Sequence, residues 1–170
     1  MRQTKRYPVK ESNSLWKIYK TVSFFKVMKN FIIISIARIT PFLSVKNWLY
    51  RTFLKMKVGK KTAFALMVMP DTMFPEKISV GSNTIIGYNT TILAHEYLIE
   101  EYRIGKVKIG NNVLIGANTT ILPGVNIGDN AIISAASLIH KDVAPGTFVG
   151  GNPMKVIYTK EELKLKQSEK

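Results

Sequence analysis

From Val80 the chain reads VGSNTI (80–85), IGYNTT (86–91) and ILAHEY (92–97). From Ile109 it resumes the same beat as IGNNVL, IGANTT, ILPGVN, IGDNAI, ISAASL and IHKDVA, ending at Ala144. An Ile or Val opens each of these nine units, and Gly follows it in five. A sustained period of six describes a coil with three flat sides. Each unit supplies a short strand and a turn, and three units, 18 residues, close one rung. Residues 18 apart then stack: Ile109 on Ile127, Ile115 on Ile133, Ile121 on Ile139. β-Branched side chains suit strand geometry and fill a narrow interior. The small or permissive residues after them let the backbone turn each corner. A β-sandwich would instead alternate with period two between irregular turns.

The phase slips once. Ile92 and Ile109 are 17 residues apart, one unit plus 11, so 11 residues leave the coil between His95 and Val107. Solenoids accept insertions at corners, where they project and often carry function. The projecting loop is placed at 96–106, with His95 at its base. The reading divides the chain into a basic helical lead-in or cap (1–57), the coil (58–157) and a C-terminal helix (158–170). Val58-Gly59 and Phe64-Ala65 begin the coil. In the lead-in a helix is expected over 14–39, N-capped by Ser14 and stopped by Pro41, with a second near 43–56. Thr159 to Glu162 has the spacing of a capping box.

Composition narrows the chemistry. There is no Cys, which removes disulfides, thiolate nucleophiles and cysteine metal sites. Only His95 and His140 are present, too few for a three-histidine metal site within one chain, and no metal is expected. Residues 1–61 hold 15 of the 25 Lys and Arg and one of the 11 acids, so the whole excess of +14 lies there. Such asymmetry points to an anionic partner. The lead-in is read as an end cap, with peripheral contact to an anionic membrane through residues 1–57 as the sharper alternative. No nucleic-acid recognition module is visible. No signal peptide is expected, and Phe31–Ile36 is too short to span a bilayer, so the expected location is the cytoplasm, extending to the inner face of the cell membrane.

The run from His95 through GKVKIGNNVLIGANTTILPGVNIGDNAIISAASLIHKDV to GGNPMKVI resembles the hexapeptide-repeat acyltransferases. Within them it is similar to the maltose, galactoside and serine acetyltransferase group, and to a Gram-positive acetyltransferase subgroup. The resemblance implies a left-handed parallel β-helix, an all-β solenoid that forms a homotrimer with its sites between subunits. It implies acetyl transfer from acetyl-CoA to a hydroxyl, with a saccharide or cell-envelope glycan precursor as acceptor. His95 matches the family's histidine at the foot of the loop, and histidine is the side chain best suited to act as a base at neutral pH. The resemblance places coenzyme A contacts at Ala117 and Ala135, around His140 and Lys141, and near Lys155. An acceptor contact is implied one rung before the histidine, where Asp71 is the polar residue with reach; Glu96 and Tyr97 are further candidates. Glu96 could also orient an imidazole, one from a neighbouring subunit included, or be a solvated loop acid. Rival readings are an N-acyltransferase acting on an amino sugar or antibiotic, and a non-catalytic scaffold at the membrane.

Overall fold

The computed structural model describes residues 2–168. Three parallel sheets form the faces of a coil. The first face holds β2 (Lys57–Val58), β5 (Ile78–Val80), β10 (Val107–Ile109) and β13 (Asn126–Ile127). The second holds β3 (Ala63–Phe64), β6 (Ile85–Ile86), β11 (Leu114–Ile115), β14 (Ile132–Ile133) and β16 (Phe148–Gly150), with β17 (Lys155–Tyr158) added antiparallel. The third holds β4 (Met69–Pro70), β7 (Thr91–Ile92), β12 (Thr120–Ile121) and β15 (Leu138–Ile139). The stacking expected from the repeat is present in the register, with Ile109 on Ile127, Ile115 on Ile133 and Ile121 on Ile139. Their side chains fill the interior together with Ile86 and Ile92, all of them buried. Each fully buried aliphatic side chain contributes about 1.5–3 kcal/mol, so these columns are a main source of cohesion.

The corners divide two tasks between different residues. Gly after the opening Ile or Val is demanded by close approach: a Cβ on Gly81 would lie 2.5 Å from the carbonyl oxygen of Gly110 in the next rung. The left-handed backbone instead falls two residues later, largely on Asn, with φ of 53° at Asn83, 54° at Asn112 and 59° at Asn130. Asn tolerates that region better than other residues with a Cβ. Its side chains also form a ladder along the corner: Asn83 Nδ2 donates to Asn112 Oδ1 at 2.9 Å.

The lead-in departs from the helical reading. Residues Thr4–Pro8 form a strand, β1. A 3₁₀ turn follows at Ser14–Lys17, then the short helix α1 (Ile18–Thr21). The chain turns extended at Val22 before α2 (Phe24–Ile39) and α3 (Leu43–Thr52). Ser14 is therefore not the cap of a long helix. Its hydroxyl donates to the carbonyl of Leu98 at 2.6 Å, and Thr21 Oγ1 lies 2.7 Å from the hydroxyl of Tyr97. Tertiary contacts with the inserted segment thus override a continuous helical pattern. That segment is itself a hairpin, β8 (His95–Tyr97) and β9 (Glu101–Gly105), and β1 pairs antiparallel with β9 to make a three-stranded sheet.

The cap explains part of the basic charge. The open first end of the solenoid exposes carbonyls that no preceding rung is there to satisfy. Lys46 Nζ donates to the carbonyls of Phe64 and Ala65 at 3.1 and 2.8 Å. Asn47 Nδ2 donates to Thr62, Arg51 to Val58 and Gly59, and Asn30 Nδ2 to Thr72. At the other end β17 folds back on β16, and α4 (Lys160–Ser168) follows. The Thr159–Glu162 capping box is formed, with Glu162 Oε2 accepting from the Thr159 N–H at 2.7 Å. Residues 169 and 170 of the expected C-terminal helix, and Met1 of the lead-in, lie outside the described residues. Among the described residues, no helix is long and apolar enough to cross a membrane.

Candidate active site

Two insertions share one corner, between the third face and the first. The 11-residue insertion is seen in the register, where Ile92 pairs with Ile121. One rung earlier Pro70 pairs with Ile92, a spacing of 22 rather than 18, because residues after Pro70 also leave the coil. Asp71 opens that shorter insertion, and the hairpin of the longer one begins at His95, so the two residues come together at one corner of consecutive rungs although the register sets Asp71 level with Leu93.

His95 Nδ1 lies 2.6 Å from Asp71 Oδ2. The Asp71 side chain is 0% exposed and that of His95 16%. Asp71 Oδ1 accepts the backbone N–H groups of Met73 and Phe74, and Oδ2 accepts those of Ala94 and His95 besides the ring. Burial alone would push the Asp71 pKa up. The His95 hydrogen bond and charge, with the backbone N–H groups of Phe74 and Ala94, outweigh it and hold the carboxyl below the usual carboxylate range. An ionised Asp71 can only accept, so Nδ1 is the donor in this contact, and in the neutral tautomer of the ring Nε2 is the nitrogen with the lone pair. The rings of Phe74 and Tyr97 stand edge-on to the imidazole at 5.9 and 5.3 Å.

This geometry revises two expectations. Asp71 has no exposed surface to offer an acceptor; it holds the imidazole instead. Glu96 is not a solvated loop acid within the chain: it is part-buried and pairs with Arg2 at 2.7 Å. Tyr97 does lie beside His95, but its hydroxyl is engaged by Thr21. Burial raises the Tyr97 pKa, the Thr21 hydrogen bond opposing. The sequence carried a signal for Asp71 that hexad counting from Val80 missed: Val58, Phe64 and Pro70 each precede their stacking partners by 22 residues.

The residues expected to contact coenzyme A fall at two corners. Ala117 and Ala135 stack between the second and third faces, where the Ala136 N–H donates to the Ala117 carbonyl at 2.8 Å. Ala135 is exposed, and so is Lys155, which begins β17 opposite Gly150 of β16 on the second face. His140 and Lys141 lie at the corner that carries His95, two rungs further along, roughly 10 Å at the strand spacing of a sheet. The His140 ring sits 3.3 Å from the Leu138 carbonyl, and Lys141 is exposed. A groove of about 590 Å³ near the hairpin is lined by Tyr7, Phe74, Lys77, Lys106 and Lys108 among others and excludes His95. No group of acids and histidines that could hold a metal ion occurs among the described residues.

Comparison with known proteins agrees with this architecture. A family model for bacterial transferase hexapeptide repeats (six repeats) matches residues 106–141. "Putative acetyltransferase YvoF" of Bacillus subtilis is 74% identical over 170 residues, covering 99% of both chains. Among solved structures, a maltose O-acetyltransferase from Clostridium difficile superposes with a TM-score of 0.64 at 24% identity, covering 79% of this chain and 86% of its own. A hexapeptide-repeat acetyltransferase of Vibrio cholerae, solved with acetyl coenzyme A, gives 0.67 at 19% identity over 79% of this chain and 87% of its own. At these identities the likeness of the solved structures is one of fold, and it sets the hand of the coil as left.

Proposed function

The chain belongs to the hexapeptide-repeat acetyltransferases, and from that premise we propose that it transfers acetyl from acetyl-CoA to a hydroxyl of a saccharide-type acceptor, with His95 as the base. The observation that carries this reading is the 2.6 Å contact between His95 Nδ1 and the fully buried Asp71. This reading is supported because a carboxylate held against Nδ1 orients the ring and leaves Nε2 of the neutral imidazole available as a proton acceptor. Nε2 takes the proton of the acceptor hydroxyl as its oxygen bonds to the thioester carbonyl carbon. The carbon–sulfur bond then breaks, and the proton on Nε2 passes to the departing thiolate. Asp71 stays ionised throughout and stabilises the imidazolium between the two transfers.

Acetyl-CoA is a substrate in this scheme. Ala117 and Ala135 leave backbone amides open on a shallow corner where the pantetheine arm can lie. Lys141 and Lys155 are exposed cations suited to phosphate. His140 lines the same path. A homotrimer would bring the corner with His95 on one chain against the alanine corner of its neighbour, enclosing a site that one chain leaves open. Glu96 and Tyr97 frame the entry for the acceptor.

The test is thiol release from acetyl-CoA across a panel of saccharides, with donor binding followed separately by calorimetry. Wild-type protein should bind the donor and turn over with at least one acceptor class. Its His95→Ala variant should bind the donor equally well and release no thiol above background. If the wild type fails to bind coenzyme A, the proposal is wrong.

A further inference from the structure

The helical end cap is patterned inside out. α2 and α3 bury polar side chains, Asn30, Lys46 and Asn47, because these supply donors to the open end of the coil. The same helices turn large apolar side chains to solvent. On α2, Phe25, Met28, Ile32, Ile36 and Ile39 are all exposed, Phe25 to 82%. Their spacing of three, four, four and three residues is one helical stripe. At 1.5 Å per residue it runs for about 21 Å. Phe42 and Leu43 continue it across the turn into α3, and Trp16 and Trp48 are exposed on the flanking elements. Apolar exposure on this scale is rare on a monomeric soluble surface and marks an interaction site.

Beside Leu43 lies a cavity of about 420 Å³ whose walls include Ser44, Asn47, Arg51, Lys60 and Lys61 and no acid. The Arg51 guanidinium is fixed there by its hydrogen bonds to the carbonyls of Val58 and Gly59, at 2.9 and 2.7 Å. Residues 12–70 contain no Asp or Glu at all. The cavity thus has the chemistry of a phosphate site, and it opens next to the end of the apolar stripe.

We propose that this end of the protein docks on an anionic lipid bilayer, with the α2 stripe entering the headgroup boundary and the Arg51–Lys60–Lys61 cavity receiving a lipid phosphate. An apolar helical stripe flanked by lysines and tryptophans is the pattern of a helix lying in the membrane interface. A second copy of the chain is the poorer occupant. Both partners in such a contact would bring the same cationic surface, on which Glu76 is already paired with Lys26 at 2.8 Å, so like charges would meet with no free acid of residues 12–70 to offset them. The docking surface stands apart from the acetyl-transfer reading, since none of its residues belongs to the His95 site.

Vesicle co-sedimentation of the full-length protein tests it, using phosphatidylcholine vesicles with and without phosphatidylglycerol. The expected result is binding to the anionic vesicles only, weakened by added salt. Two exposed-surface variants, Phe25→Ser with Ile32→Ser and Lys60→Gln with Lys61→Gln, should each weaken binding at least about tenfold while melting like wild type. Equal sedimentation with neutral vesicles, or variants that bind as wild type, would overturn the proposal. So would a Phe25/Ile32 variant that changes the oligomeric mass and not vesicle binding, which would assign the face to contact between copies. Protection by inorganic phosphate without any vesicle binding would overturn it too, in favour of a soluble phosphate ligand.

Discussion

Asp71 and His95, 24 residues apart in sequence, are joined at 2.6 Å because each begins an insertion at the same corner of successive rungs. The coil supplies the rigid vertical spacing and the insertions supply the freedom to depart from six-residue geometry. Everything the Asp71 carboxylate touches is a donor: four backbone N–H groups and one ring nitrogen.

That donor set predicts the result of Asp71→Asn. Whichever way the amide is turned, its NH2 group faces backbone N–H groups. The ring loses its orienting anion, and kcat should fall by roughly 10–10⁴-fold, between the effect of an orienting partner and that of a triad aspartate. KM for acetyl-CoA should stay within about twofold of wild type, since Asp71 acts only through His95. Steady-state kinetics with each substrate varied in turn would check it; an unchanged kcat would show that the contact serves folding alone.

The same carboxylate should impose a pH dependence on stability. Its folded-state pKa lies below the ordinary value, so its stabilising contribution is full above that ordinary value and is lost as pH falls through the lower, folded one. Denaturant midpoints measured from neutral pH down to about pH 3 should drop more steeply for wild type than for Asp71→Asn, which starts lower and has less to lose.

Lys46 is buried and holds two carbonyls of the first rung. In Lys46→Met the apolar volume is kept and both acceptors are left without that donor. Each unsatisfied buried group costs on the order of 1–3 kcal/mol, partly offset by no longer burying an ammonium. A net destabilisation of about 1–3 kcal/mol is expected in denaturant unfolding. A neutral result would mean that water can replace the side chain at the end of the coil.

The two kinds of corner residue should respond in opposite ways to Gly and Ala. Gly81→Ala forces a Cβ against the Gly110 backbone and should cost about 1–3 kcal/mol. Asn112→Gly keeps the left-handed turn and should be milder, while Asn112→Ala should be worse than Asn112→Gly by roughly 1 kcal/mol. Thermal unfolding of the three variants would rank them.

The coil was legible because its signal is local and repeated: Ile115 announces its place through Ile109 and Ile121 on either side. The helices of the cap were legible in outline for the same reason. What stayed hidden was non-local. β1 pairs with β9 across 95 residues, Arg6 meeting Glu101, and nothing in Thr4–Pro8 by itself declares that partner. The break at Val22 is imposed by what Thr21 and Ser14 touch on the hairpin, so a helical periodicity that runs straight through it was misleading. Asp71 is legible as a polar residue with reach; the 22-residue spacing of the first two rungs brings it to the right corner, and only the departure of the chain from the coil after Leu93 brings His95 to it. Glu96, adjacent to His95, points to the opposite face of the strand, and the carboxylate that meets the ring comes from the rung below.

Every rung of this coil is a template for another, and only its two ends decide how many there are. One end is closed by side chains that occupy the carbonyls where a preceding rung would pair, the other by a strand that reverses direction over the last. Such closures act as chain terminators against growth: a molecule deprived of either would present a bare parallel edge complementary to its own opposite end, and head-to-tail addition of whole molecules into fibres would be its characteristic failure.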